Sequence, residues 1–424
     1  MTREQIQPKR KVMRVSTPVS EPQIRTTPWL KIHFLGMAAG LSFMGSTLTT
    51  FAVVLRDKDV SGPVGVSLLF LAMAIPNILF APLTGLIADR FPSRRVIPTA
   101  LTMMSLSTLS IVFMPTWWAP VALFMTASFG AAVGASNSAT IAAVTNPDDI
   151  TRVQGTLQSY VALGMLMGPA AGGLLVSAFG YFWPFVIDAA SFLILALTFL
   201  AIGFNRVPQK TSTADKPRAL DGIRFIAGHR LIRSIALLLA IVVLAIGSIG
   251  VGEVFLITDE LGGDAFIYGM VGATLALGMI VGSVLIQVIK LKPSQNPVFL
   301  LLSIGLAVVS LITFSQIPHW GWAFPVVFFA GLGNAGLNSL AAGTILRLTA
   351  EDIRGRVVAA YQALVTVGQV TATGLGGILI AGLGVRTVLF FGGVMALVAL
   401  LVLGPRVLKA GRAMDLDAKP ESSN

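Results

Sequence analysis

The apolar positions of this chain run on for twenty residues and more without a charge, and the polar residues gather in short clusters between the runs. Crossing a hydrocarbon core takes about 20 apolar residues in a helix. Stretches of that length recur near 32–55, 64–85, 96–115, 119–146, 154–178, 183–204, 234–257, 265–289, 297–316, 321–346, 357–381 and 386–405. Three uncharged stretches hold two crossings each. They turn at PTWWAP (Pro115 to Pro120), FGYFW (Phe179 to Trp183) and IPHWGW (Ile317 to Trp322), where aromatic residues and Pro suit the membrane interface. The pattern predicts an all-α membrane protein of twelve transmembrane helices.

Composition agrees, with 55% hydrophobic and 12% charged residues against roughly 25% charged in soluble domains. A net charge of +11 would suit a nucleic-acid binder, but its placement argues for a membrane instead. With the N-terminus inside, 27 Lys and Arg fall in inner segments and only Arg56, Lys58 and Arg386 fall outside. Such a bias sets both termini in the cytoplasm, and the expected location is a bacterial inner membrane. The basic stretch PKRKVMR (Pro8 to Arg14) reads as a solvated anchor near anionic lipid. It lacks the short apolar core and small-residue cleavage site of a signal peptide. There is no Cys, and His33, His229 and His319 are scattered, so no metal site is expected.

The chain divides into a basic tail (1–30), a six-helix half (31–204), a central loop (205–232), a second half (233–405) and a C-terminal tail (406–424). The central loop carries Pro208, Pro217 and TSTAD, then ALDGIRFIAGHRLIRS, which suits an amphipathic helix at the cytoplasmic surface. The halves look like duplicates. Thr145 to Gly180 aligns without a gap on Thr349 to Gly384, setting Arg152 on Arg356, Gln158 on Gln362, Gly164 on Gly368, Gly172 and Gly173 on Gly376 and Gly377, and Gly180 on Gly384. Helix-start signals precede both fifth helices of the halves, Asn146-Pro147 in one and Thr349 with Asp352 in the other. Six-helix parallel repeats are an architecture of secondary transporters.

The loop after the second crossing reads GLIADRFPSRRVI, Gly85 to Ile97. It resembles the cytoplasmic signature of the major facilitator superfamily, G-x-L-A-D-R-x-G-R-R/K-x-x-L, through Gly85, Ala88, Asp89, Arg90 and Arg94, with Pro92 and Ser93 as departures. The resemblance implies a cytoplasmic gate in which Asp89 docks on the start of the eleventh crossing near Arg354 to Val357. A helix N-terminus attracts an anion by about 0.3 to 2 kcal/mol. The plain alternative is a positively charged inner turn with an incidental acid.

Within the fifth crossing, GMLMGPAAGG (Gly164 to Gly173) concentrates the poorest helix formers. Gly164, Gly168, Pro169, Gly172 and Gly173 resemble G-x-x-x-G-P-x-x-G-G of the drug/proton antiporter and siderophore-exporter branches. Small residues four apart let helices in lipid approach closely, so the stretch reads as a helix contact with a kink. Simpler small-residue pairs occur in GMAAG, GAAVG and GMIVG.

GLGNAG (Gly331 to Gly336), followed by Glu351 and Asp352, matches a dinucleotide fingerprint but lies inside a crossing, without the strand that fingerprint requires. No phosphate-binding G-x-x-x-x-G-K-[ST] occurs, so the expected energy source is an ion gradient with no cofactor. Family geometry implies a central cavity lined by crossings 1, 4, 7 and 10. The polar candidates there are Ser42, Ser46, Thr49, Thr50, Asn137, Asn334 and Asn338, with Phe43 and Phe51 as apolar wall. Each polar residue reads equally well as an interhelical hydrogen bond. The acids inside crossings are Asp188, in FVIDAASF near the sixth crossing's outer end, and Glu253, in the outer third of the seventh. Intramembrane acids cost about 2.5 to 3.5 kcal/mol and mark functional sites by default. Asp188 reads first as structural; Glu253 reads as the group for proton coupling or substrate charge, with a cap at the helix end as its alternative.

These readings imply a proton-driven exporter, a monomer in membrane lipid, not an enzyme, moving a drug, secondary metabolite or siderophore outward by alternating access. The alternatives are an importer of a small nutrient, or a lipid flippase or transport-dead sensor on the same fold.

Overall fold

The computed structural model describes residues 26–206, 219–289, 295–349 and 353–417. The Pro8 to Arg14 anchor, TSTAD, Pro208, Pro217, Glu351 and Asp352 lie outside them. All described elements are helical: α1 (Trp29–Leu79), α2 (Ala81–Arg90), α3 (Ser93–Phe113), α4 (Ala119–Val144), α5 (Ile150–Phe179), α6 (Phe182–Ile202), α7 (Ala219–Gly228), α8 (Arg230–Ile246), α9 (Ile249–Phe255), α10 (Ala265–Ile289), α11 (Asn296–Gln316), α12 (Ala323–Leu348), α13 (Arg354–Leu383) and α14 (Val385–Asp417). Eleven membrane-length apolar stretches are present, and α1 supplies two crossings, which makes twelve.

The first two crossings differ from expectation in their joint. The segment after residue 55 is helical rather than a loop, and the chain reverses only at Gly62, whose φ of 60° favours a residue without Cβ. Arg56 and Asp57 are consequently drawn into the bundle as an ion pair of 2.7 Å, Asp57 only 3% exposed at its side chain. The Arg56 guanidinium also donates to the Ile111 carbonyl oxygen at 2.9 Å. The second crossing continues after Phe80 as α2. The fifth and eleventh crossings stop at equivalent glycines, Gly180 and Gly384, with φ of 74° and 82°. Asn146 caps the approach to α5 by accepting from the Asp148 N–H at 3.3 Å.

The seventh crossing is broken. Between α8 and α9 the chain turns at Gly247 and Ser248, and the Gly247 carbonyl accepts from the Thr373 hydroxyl of α13 at 3.3 Å. A break at membrane depth is tolerated where neighbours satisfy the freed backbone. A π-helical turn, Leu256–Glu260, ends this crossing. In the segment between the halves, Phe225 and Ile226 of α7 pack on the core of the second half. The last helix runs past the predicted crossing, since α14 continues through Pro405 to Asp417.

An even number of crossings puts both termini at one end of the bundle, here the terminal end, and Arg56, Lys58 and Arg386 at the far end. The cores differ between these ends. At the far end one apolar core draws on both halves, with Ala52, Leu69, Ile111 and Phe185 beside Val254, Val271, Phe314 and Leu389. At the terminal end each half keeps a core of its own, around Ile32, Leu101, Val153 and Phe199 in one and Leu231, Leu300, Ile345 and Val357 in the other. The halves are therefore joined at the far end and parted at the terminal end.

Candidate transport site and its gates

The glycines of GMLMGPAAGG divide their work. A methyl group on Gly164 would overlap the Gly40 carbonyl oxygen of α1, and one on Gly168 would overlap the Thr47 hydroxyl. Gly172 has ordinary room against Leu48 and Phe51, at 3.4 to 3.5 Å. Gly173 faces the other half, where a methyl group would overlap the Ala265 carbonyl oxygen of α10. Its repeat partner Gly377 meets Pro63 and Ser67 of α1 in the same manner, and Gly376 meets Ser248. The double glycine is thus where the halves touch, once in each direction, a role the single-helix motif did not reveal. Pro169 lies within a continuous α5, its carbonyl oxygen against Gly269.

Two further contacts close the far end. Lys58 Nζ lies 2.6 Å from Asp259 Oδ1 of the second half and 2.7 Å from Asp59 Oδ1. Phe51 packs on Tyr268 of α10, ring centroids 4.7 Å apart. Nearby, within the second half, Arg386 pairs with Glu260 and donates to the Ser315 and Ile317 carbonyl oxygens at 3.1 and 3.0 Å. The loop motif at the terminal end is not engaged in this way. Asp89 is 68% exposed at its side chain and its partner among the described residues is Arg206 of its own half, at 3.5 Å. Arg206 also donates to the Ala88 carbonyl oxygen. Ser93, one of the departures from the family pattern, accepts from the Arg206 N–H at 2.8 Å. Gly85 has open space around it, and Arg90 and Arg94 are exposed or nearly so.

The polar candidates do not converge on one cavity. Ser46, Thr49 and Thr50 line a cavity of about 240 Å³ inside the first half, together with Asp188 and Asn77, Thr108 and Thr126. Asn334 and Glu253 line a separate cavity of about 120 Å³ inside the second half, walled by Ile246, Leu275, Leu311 and Phe314. Ser42, Asn137 and Asn338 line neither. Ser42 is buried and its carbonyl accepts from Ser46, while exposed Asn338 donates to the Asn334 side chain at 2.8 Å. Phe43 is partly exposed, and Phe51 belongs to the far-end closure.

The cavities occupy equivalent places in the repeat. In the register that sets Thr145 on Thr349, Thr49, Leu123, Thr126 and Gly130 of the first fall on Glu253, Val327, Ala330 and Asn334 of the second. The acids came from different positions, Asp188 from the sixth crossing and Glu253 from the seventh. Asp188 is 1% exposed, with the Ser46 and Ser191 hydroxyls each 3.5 Å from its Oδ1. Glu253 Oε1 is buried with no hydrogen-bond partner, so it is not the helix cap that its position also allowed. No Lys, Arg or His lines either cavity. Thr108 and Thr126 were missed in the sequence, where isolated threonines in apolar helices carry no signal of convergence. No group of three metal-binding side chains occurs among the described residues.

Comparison with known proteins places this geometry in a family. The model of the Major Facilitator Superfamily matches residues 35–256 and 235–416. The chain is 25% identical over 368 residues to the uncharacterised transporter YfiS of Bacillus subtilis, covering 83% of this chain and 87% of that protein. It is 25% identical to the class C tetracycline resistance protein of Escherichia coli, covering 75% and 80%. It is 28% identical to the multidrug resistance protein MdtG of Salmonella typhimurium, covering 55% and 58%. Among solved structures, an inward-facing bacterial homologue of the lysosomal transporter Spinster aligns with a TM-score of 0.68 at 16% identity, over 95% of this chain and 100% of that one. The nucleoside transporter NupG aligns at 0.72 and 15%, over 89% and 98%. At such identities these structures speak to the fold.

Proposed function

This chain belongs to the major facilitator superfamily, and we propose that it is a proton-coupled exporter of cationic amphiphilic small molecules in a bacterial inner membrane, with both termini cytoplasmic. On that orientation the far end is the outside, and the conformation is inward-facing. The observation that carries the reading is Glu253, a carboxyl whose Oε1 is buried without a partner in an apolar cavity. An ionised carboxylate there would lack any compensating charge, and burying it unpaired is prohibitive. It holds a proton while occluded and gives it up when a cation takes its place. Asn334 and Ser310 are the other polar residues lining the cavity.

Size limits what enters. Drug-sized ligands occupy about 300–1,000 Å³, so the cavity of about 120 Å³ takes a cationic head and leaves the apolar body in the cleft between the halves. In the inward-facing state the substrate cation displaces the proton toward the cytoplasm. When the far end opens, a proton from outside displaces the substrate. The tetracycline and multidrug resistance relatives, and the five-position glycine motif, support export.

The test is dye accumulation in a strain lacking its own efflux pumps, with and without an uncoupler, followed by a resistance panel to find the substrate. Expression should lower accumulation of a lipophilic cation, and collapse of the proton gradient should abolish the difference. Gradient-driven uptake of a small nutrient would replace this reading with an importer. Transbilayer movement of labelled lipid without dye efflux would replace it with a flippase.

A further inference from the structure

The first-half cavity has a chemistry of its own. Its lining combines one carboxylate, Asp188, with hydroxyls from three other crossings and no basic side chain. Thr49 is 3% exposed and Thr108 is fully buried, and the hydroxyls of Thr108 and Thr126 have no hydrogen-bond partner among the described residues. Thr49 lies within hydrogen-bonding reach of the carboxylate. Ser46 stands 3.5 Å from Asp188 Oδ1. Buried polar groups in native proteins are satisfied almost without exception, so unpaired hydroxyls lining one cavity with a buried acid mark a place for a bound species.

We infer that this cavity, formed by Asp188 with Ser46, Thr49, Thr108 and Thr126, binds one alkali-metal cation, for which sodium is the probe. All the donors are oxygens, which suit hard cations, whereas zinc and copper favour imidazole and thiolate. One carboxylate neutralises one positive charge. Calcium sites recruit more carboxylates than this cavity offers, and magnesium sheds its waters reluctantly and demands a strict octahedron. About 240 Å³ accommodates the ion with a partial water shell. Bound there, the ion ties the first, third, fourth and sixth crossings together, because Thr49, Thr108, Thr126 and Asp188 come one from each. The equivalent cavity of the second half has Ala330 in the place of Thr126 and an acid in the place of Thr49, and Ser310 is its one hydroxyl residue. The two cavities have thus diverged into an alkali-cation site and a proton site. The inference does not depend on the direction of transport.

Purified protein in detergent is titrated with sodium chloride against choline chloride at equal ionic strength, following thermal unfolding, and sodium binding is measured by equilibrium dialysis with radioactive sodium. Saturable, sodium-dependent stabilisation and about one ion bound per chain are expected. Thr108→Val keeps shape and removes one ligand, and should weaken sodium binding about tenfold, the usual scale for losing one supporting group. Asp188→Asn should abolish it, and Glu253→Gln should leave it intact. If Asp188→Asn fails to yield folded protein, Thr49→Val with Thr108→Val decides. Equal stability in choline and sodium, with no ion retained, overturns the inference. So does stabilisation that follows pH alone, which would make Asp188 a protonated carboxyl among waters.

Discussion

Lys58 of the first half and Asp259 of the second stand 2.6 Å apart across the far end of the bundle, each on the last turn of a first-in-half crossing. Lys58 is 11% exposed at its side chain and Asp259 46%, so water screens one partner more than the other. Pairs of this kind contribute about 0.2–1 kcal/mol, and they add to a larger apolar closure. Lys58→Gln should therefore shift the balance toward the far-end-open state by no more than about fivefold. A cysteine pair placed across the far end and assayed by crosslinking would register the change, and high salt should reproduce part of it. An unchanged crosslinking yield would assign closure to the apolar core and the glycines alone.

The glycines make a sharper distinction. Gly164 lies against backbone within its own half, Gly173 against backbone of the other half, and Gly172 has room for a methyl group. Gly164→Ala should lower thermal stability by about 1–3 kcal/mol, the usual cost of overpacking. Gly173→Ala should spare the half but obstruct far-end closure, reducing transport at normal expression. Gly172→Ala should be close to wild type. Equal behaviour of Gly172→Ala and Gly173→Ala would show that the halves do not meet at this point.

The twelve crossings, the duplication and the glycine motif were legible in the sequence because lipid imposes length and lack of charge, and small residues at a spacing of four have few other uses. The joint at Gly62 was not legible. Arg56, Asp57 and Lys58 look like a loop when charge is taken to mean exposure, yet Arg56 and Asp57 compensate each other and remain helical. The break at Gly247 was likewise hidden, since apolar residues surround it on both sides and its support comes from Thr373 far along the chain. Polar candidates were found helix by helix, but which cavity each lines depends on tertiary packing, and the separation of Asp188 from Glu253 into equivalent cavities follows from that.

Asp89 offers a test of conformation. Its side chain is mostly exposed and pairs, among the described residues, with Arg206 in this conformation, so Asp89→Asn should change the stability of this state by less than about 0.5 kcal/mol, as surface changes do. In the outward-facing state the family pattern docks this carboxylate on a helix N-terminus, an attraction the neutral amide largely lacks. Transport should fall while thermal stability, measured without substrate, stays level. A loss of stability equal to the loss of transport would place Asp89 in the packing of its own half.

Glu253→Gln preserves shape and hydrogen-bonding capacity and removes the ability to exchange a proton for a cation. In everted vesicles, whose lumen corresponds to the outside, uptake of a lipophilic cation by the parent protein should rise as the lumen is acidified, because protonation from that side drives release. In Glu253→Gln that dependence on the gradient should be lost, with uphill transport of the cation falling by about tenfold or more, within the range seen when a positioned proton-transfer group is removed. Downhill exchange of a neutral substrate should continue, since the apolar walls Ile246, Leu311 and Phe314 are unchanged. The Asn334→Ala variant should weaken binding without flattening the pH profile, because Asn334 carries no titrating proton. Normal uphill efflux by Glu253→Gln across external pH would remove Glu253 from the coupling mechanism. Asp188 would then be the remaining cavity-lining acid to carry it, and its response to sodium would show whether it couples to that ion instead.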